Sequence, residues 1–278
     1  MKPATRDHAP RMRVGELGDT TSDPSRRTPS ARGPTSRGRR TRRDAGRPSL
    51  VRRLLVAVLG VVLMAVAGFG VLLLLTPGVG DAAARVAAHT GAGGLLTGPP
   101  PLRVQQALVA TEDSRFYSHS GIDVLGSVRA TAGPLLGQGD PGGATLDQQL
   151  AKLLYTGGRR SVTARVEQVA LAVKIDHRYA KPQILRLYLD TAYFGHGYTG
   201  ITAAARGYFN RSPQNLTWSQ ASMLAGLVQA PSAYDPLAHY PLARARQRHV
   251  LDRLVATHVL TRTRADAVYA APLALVSG

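Results

Sequence analysis

The sequence predicts a mainly α protein in which a basic tail and one membrane-spanning helix precede a single helical domain. Three observations carry this. Residues 1–53 hold 15 Lys/Arg against 5 Asp/Glu, a net +10 out of +18 for all 278 residues. Leu54 to Leu75 form a run of 22 residues without a charge. From Leu102 onward apolar residues recur at helical intervals, and no stretch shows sustained alternation of strand-type residues.

The tail is rich in Pro, Gly, Ser and Thr and nearly empty of large apolar side chains. It cannot bury enough surface to offset its chain entropy, so residues 1–53 read as disordered. The run Arg37, Arg39, Arg40, Arg42, Arg43 has the charge to bind nucleic acid or anionic lipid. The apolar span just after it accounts for that charge as topogenic, and no nucleic-acid partner is expected. At 1.5 Å per residue the span covers about 33 Å, the thickness of a bilayer core. Arg52 and Arg53 abut its start and Pro77 and Gly78 follow its end. The positive-inside rule places the tail in the cytoplasm and the chain after Thr76 outside. A cleaved signal peptide would have an apolar core of only about 7–15 residues behind a shorter basic segment. Residues 54–76 therefore read as an uncleaved, single-pass signal anchor. The chain has no cysteine, which excludes thiol catalysis, disulfides and thiolate zinc sites.

Residues 77–100 read as a juxtamembrane segment with Gly-rich patches, helical over part of Asp81–His89 and ending in Pro99–Pro101. In the domain at 101–278, Val104, Leu108 and Thr111 share a face of a first helix that should end near Glu112. Val162, Val166, Val169 and Val173 predict a buried stripe. Pro182 suits the first turn of a helix whose Ile184, Leu185, Tyr188 and Leu189 face inward. Thr217 to Gln220 form a capping box opening a helix through Val228, which Pro231 stops. Leu242, Ala245, His249, Val250 and Leu254 mark another, and Thr263 to Asp266 cap a last short one. The polar stretch Leu136–Thr145, LGQGDPGGAT, is expected to be mobile and to lie beside the chemistry.

Two clusters carry that chemistry. Glu112 to Asp123, EDSRFYSHSGID, sets two adjacent acids at the end of an apolar helix, where the dipole favours cations. Some partner must make them tolerable; a polar helix exit with a satisfied His119 is the plain alternative. Gly142 to Lys152, GGATLDQQLAK, places Gln148, Gln149 and Lys152 within one helical turn as donors to an oxygen-rich ligand. A solvated helix start is the alternative there.

Taken in order, these segments resemble the glycosyltransferase domain of class A penicillin-binding proteins and their monofunctional relatives. The first is similar to E-D-x-x-F-x-x-H-x-G-x-D at Glu112, Asp113, Phe116, His119, Gly121 and Asp123. The second resembles G-G-S-T-I-T-Q-Q-L-x-K, with Gly142, Gly143, Thr145, Gln148, Gln149, Leu150 and Lys152 matching. KPQILRLYLDTAYFG at Lys181–Gly195, GITAAARGYF at Gly200–Phe209 and AGLVQAPSAYDP at Ala225–Pro236 are similar to three more. The resemblance covers about residues 85–275 and leaves no room for a transpeptidase domain before Gly278, the pattern of a monofunctional peptidoglycan glycosyltransferase.

The resemblance implies a lysozyme-like, two-lobed helical domain acting on lipid II at a bacterial cytoplasmic membrane. Glu112 is then the general base on the acceptor sugar's 4-hydroxyl, and undecaprenyl pyrophosphate leaves with inversion. Asp113, Arg115, Phe116, His119, Thr145, Gln148 and Gln149 would bind substrate; Lys152, Arg160 and Arg165 would meet the leaving group's charge. No cofactor is obligatory, and a divalent cation, Mg2+ or Mn2+, is admitted. The implied partners are lipid II, the growing glycan strand, the membrane and cell-wall proteins such as transpeptidases.

The match departs from the family at R-K-x-x-E, where the second carboxylate's position falls on Gln168, with Glu167 just before it. Either Glu167 serves after a register change or Gln168 binds as a neutral amide. Ala144 and Asp147 also stand where the family has Ser and Thr, and Gln220 where a Glu is common. Two other classes stay open: a lysozyme-like hydrolase with Glu112 as acid, separable by its products, and a catalytically silent scaffold, separable by a harmless Glu112→Gln.

Overall fold

A computed structural model describes residues 49–90, 94–126 and 143–276. The tail at 1–48 and most of the Leu136–Thr145 stretch, with Gly142, lie outside the described residues. Ten α-helices occur among the described residues, with no strand and one isolated bridge, Tyr193 to Thr199.

Helix α1, Leu50–Leu75, is long and apolar enough to cross a membrane and buries none of its residues. It begins four residues before the charge-free run, because Arg52 and Arg53 are good helix formers. Its end is tied to the domain. Lys174 Nζ donates to the carbonyls of Thr76 at 2.7 Å and Pro77 at 3.1 Å, a cation where a helix C-terminus is negative. Tyr155 and Tyr179 both donate to the carbonyl of Val79. Helix α2, Ala82–His89, follows.

Helices α3 (Leu102–Glu112), α8 (Trp218–Leu227), α9 (Tyr240–Ala256) and α10 (Arg262–Ala270) pack on one another as one lobe. Helices α4 (Leu146–Leu154), α5 (Val162–Arg178) and α6 (Lys181–Thr191) form the other, with α1 against α5 and α2 against α4 and α6. Helix α7, Ile201–Phe209, packs on α6. In α8 every residue from Ser219 to Leu227 is buried, so this central helix has no polar face. Its polar side chains are satisfied internally: Gln247 donates to the Ser219 carbonyl and to Ser222 Oγ, and Gln220 donates to the Leu273 carbonyl.

The expected helix end at Glu112, the inward face of α6 and the capping box at Thr217 all occur. Two expectations are corrected, the valine stripe and the cap of the last helix. The valine stripe of α5 faces outward, Val162 being 76% and Val166 47% exposed. The buried face is Ala164, Gln168, Ala170, Leu171, Ala172 and Ile175. Small residues are selected there because α5 is approached closely: a Cβ on Gly121, which has φ +81°, would come within 2.6 Å of the Ala172 carbonyl oxygen. The helix marked by Leu242 to Leu254 occurs as α9, whose buried positions are Ala243, Gln247, Val250, Leu251 and Leu254. The last helix is capped by Thr261, whose side chain accepts from the Arg264 N–H, and not by Thr263. Thr263 already lies inside α10, which begins at Arg262, so Thr261 is the residue placed to cap its first turn.

Candidate functional site

The C-terminal end of α3 meets the N-terminal end of α4, and this junction explains how two adjacent acids are tolerated. Asp113 follows the last residue of α3 and turns inward, its side chain only 3% exposed. It accepts from His119 Nε2 at 2.9 Å and from the Leu146 N–H, the first of α4, at 3.0 Å. A carboxylate unfavourable at one helix end is thereby placed at the favourable end of another. Glu112 lies at the surface of the same junction, 12% exposed. Arg246 of α9 pairs with its Oε1 at 3.1 Å, and Gln149 Nε2 of α4 donates to its Oε2 at 3.3 Å. Arg253 donates to the Ala110 carbonyl, supplying a second cation at the end of α3.

Gln149 is held from behind. The buried Tyr188 hydroxyl donates to its Oε1 at 2.8 Å, which turns the amide nitrogen toward Glu112. Burial, and after it the charge of Glu112, push the Tyr188 hydroxyl well above its usual range, so it remains a donor. Thr145 and Gln148 cap α4 reciprocally: Thr145 Oγ1 accepts from the Gln148 N–H, and Gln148 Oε1 from the Thr145 N–H. Thr145 Oγ1 also donates to the Gly121 carbonyl at 2.7 Å, fastening the segment after Glu112 to α4. Phe116 is fully buried, edge-on to Tyr117 and His119, and Arg115 pairs with Asp123 at 3.6 Å.

Behind the junction lies a buried charge cluster. Lys181 Nζ bridges Asp147 at 3.3 Å and Asp176 at 2.5 Å and sits 4.5 Å from the centre of the Phe116 ring. Burial pushes the Asp147 carboxyl up to about 6, with Lys181 opposing the rise and Asp176 adding to it. Asp113, His119 and Asp147 each bring a ligand atom within 4.8 Å of the others, the spacing of a cation site. Yet Asp113 is taken up by His119 and the Leu146 amide, and the Lys181 ammonium occupies the charge position beside Asp147. The trio fits a hydrogen-bonded scaffold better than a divalent-ion site.

The second group of expected residues stands apart from these contacts. Lys152 is in the last turn of α4; Arg160 precedes α5 and Arg165 is exposed in its first turns. Glu167 pairs with Arg159 at 3.0 Å. Gln168 instead turns inward, donating to Thr156 Oγ1 and to the Arg159 carbonyl. The two neighbours therefore differ in kind: one is a charged group within solvent reach, the other a buried amide holding the α4–α5 loop. Sequence reasoning missed Arg246 and Tyr188 as site residues. Arg246 shares α9 with Arg244, Arg248 and Arg253, all partly buried like itself, and nothing local distinguishes it.

Residues 98–255, more than half of the chain, match the family model described as Transglycosylase. Penicillin-binding protein 1A of Neisseria flavescens is 39% identical over 167 residues, covering 60% of this chain and 21% of that one. A chain of Cupriavidus necator named as a transglycosylase is 37% identical over 178 residues, covering 64% of this chain and 77% of that one. The chain thus spans about a fifth of the penicillin-binding proteins it matches. The crystal structure of penicillin-binding protein 1A from Haemophilus influenzae aligns at 33% identity and a TM-score of 0.34 over 35% of this chain and 15% of that one, too little to bear on the fold. On the strength of the family match and of the acid-bearing junction it covers, the chain belongs to the transglycosylase family.

Proposed function

We propose that this protein is a membrane-anchored peptidoglycan glycosyltransferase that polymerises lipid II, with its N-terminus cytoplasmic and its domain outside. The observation that carries the reading is Glu112: a nearly buried carboxylate at the meeting of two lobes, oriented from one side by Arg246 and from the other by Gln149. A carboxylate so held is preorganised to take a proton from one hydroxyl. The acceptor's 4-hydroxyl passes its proton to Glu112 while its oxygen bonds to the donor's anomeric carbon. The bond from that carbon to undecaprenyl pyrophosphate breaks on the opposite face, giving inversion.

The departing pyrophosphate gains negative charge, and Lys152, Arg160 and Arg165 are the cations assigned to it. None of the three has a side-chain partner among the described residues, which leaves them available for an anion. Glu167 is assigned the second-carboxylate role, since Gln168 is spent on the loop. Because the Asp113–His119–Asp147 grouping is internally paired, a divalent cation is given no step. The anchor follows from the substrate, whose polyprenyl chain stays in the bilayer, and cell-wall transpeptidases are the expected partners.

Purified protein incubated with labelled lipid II should yield long glycan, abolished by moenomycin, a glycolipid inhibitor of this family. Glu112→Gln should lower the rate by about 10²–10⁴-fold, the usual worth of a general base. Glu167→Ala should lose more activity than Gln168→Ala at equal folded yield. Fragments released from preformed glycan, with no polymer from lipid II, would establish the hydrolase instead.

A further inference from the structure

The lobe built from α3, α8, α9 and α10 carries a groove of about 460 Å3 far along α3 from Glu112, at the opposite end of that eleven-residue helix. Its lining includes Arg103, Arg264 and Trp218 together with the apolar Ala267, Val268 and Ala271. Its volume lies within the range of about 300–1,000 Å3 typical of ligand clefts. None of its lining residues is acidic. The lobe's nearby acids are already matched with other arginines, Asp266 with Arg248 at 2.8 Å and Asp252 with Arg262 and Arg248. Arg103 spends one N–H on the Leu216 carbonyl at 3.0 Å. The Arg264 guanidinium makes no hydrogen bond or ion pair among the described residues. Two cations and an indole are thus presented beside apolar surface with no internal counter-charge.

We propose that this groove docks an acidic, aliphatic segment of a partner protein on the domain's side of the membrane. Arginine and tryptophan are the side chains over-represented where binding energy concentrates, because each offers a large flat surface with directed donors. The apolar lining residues Ala267, Val268 and Ala271 favour an apolar group between the carboxylates, which a bare phosphate does not have. A lipid headgroup is disfavoured by position, since α1 packs against α5 of the other lobe. The proposal goes beyond the glycosyltransferase reading and does not depend on it.

The chain has one tryptophan, Trp218, so its emission reports the groove directly. Full-length protein in detergent micelles is titrated to about 5 mM, an affinity range suited to a short fragment of a larger interface, with the capped peptide ELDLE. The neutral peptide QLNLQ and inorganic phosphate are run alongside. A saturable change in Trp218 emission with ELDLE is expected, weakened by added salt, with little response to either control. Arg103→Glu and Arg264→Glu should each weaken binding about tenfold or more, the second at an unchanged melting temperature. Should Arg103→Glu fail to fold, Arg264→Glu decides, since its guanidinium holds nothing internally. No saturable change with ELDLE, an equal response to QLNLQ or to phosphate, or undiminished binding by Arg264→Glu each overturns the proposal.

Discussion

Glu112 and Asp113 are neighbours in sequence with opposite destinations, because the helix ends between them. Glu112 closes α3 and keeps helical direction, which points it at Arg246; Asp113 leaves the helix with φ −153° and enters the interior. Arg246 is a positioning residue on this account. Arg246→Gln should lower the polymerisation rate by about 10–100-fold, the scale of losing one partner of a largely buried charged pair. The loss should fall on kcat more than on KM, with Arg246→Lys restoring part of it. Equal losses in both constants would point to substrate binding instead. Asp147 supports a second prediction. Its folded value of about 6 stands above the ordinary 3.8, so folding favours the protonated form. The stability it contributes is whole below about pH 4 and is lost as pH rises through about 6, where an ionised carboxylate must be kept buried. At about 1.4 kcal/mol per tenfold, the stability difference between wild type and Asp147→Asn should fall by on the order of 3 kcal/mol from pH 4 to pH 7. A flat difference in pH-dependent denaturation would contradict this.

At the scale of elements, α3 is legible from its apolar face, and α6 and α8 because large apolar residues coincide with start signals. Thr217 with Gln220 and Pro182 with Ile184 mark starts whose geometry is local. Helix α5 is legible as a helix but not in its orientation. Its valines carry the hydrophobic signal, while half of the face that packs is alanine, chosen for close approach and contributing little to periodicity. Substitution separates the two faces. Val162→Ser should change stability by less than about 0.5 kcal/mol, as for an exposed site, whereas Leu171→Ala should cost about 2–5 kcal/mol through an unfilled cavity. Thermal melting of both variants checks the assignment, and the reverse order would restore the valine stripe to the core.

At the scale of the whole molecule, the end of α1 is joined to the domain by Lys174, Tyr155 and Tyr179, so on the proposed reading a membrane-crossing α1 would also hold the domain near lipid. A chain beginning at Pro77 should keep its helical circular dichroism and act on lipid II in detergent, yet lose about tenfold or more on liposome-embedded lipid II, because tethering supplies the local concentration. Equal rates on liposomes would remove that role. The sequence by itself determined the long apolar first helix, the helical class, the family and the carboxylate at the end of α3, since each rests on composition, period or contiguous motif. Tertiary structure alone decided that Arg246, 134 residues away, is the partner of Glu112, that Asp113 caps α4, and that Gln168 rather than Glu167 turns inward. Such choices depend on which helix ends meet, and a charged side chain on an amphipathic helix has the same local pattern whether it meets water or another chain segment.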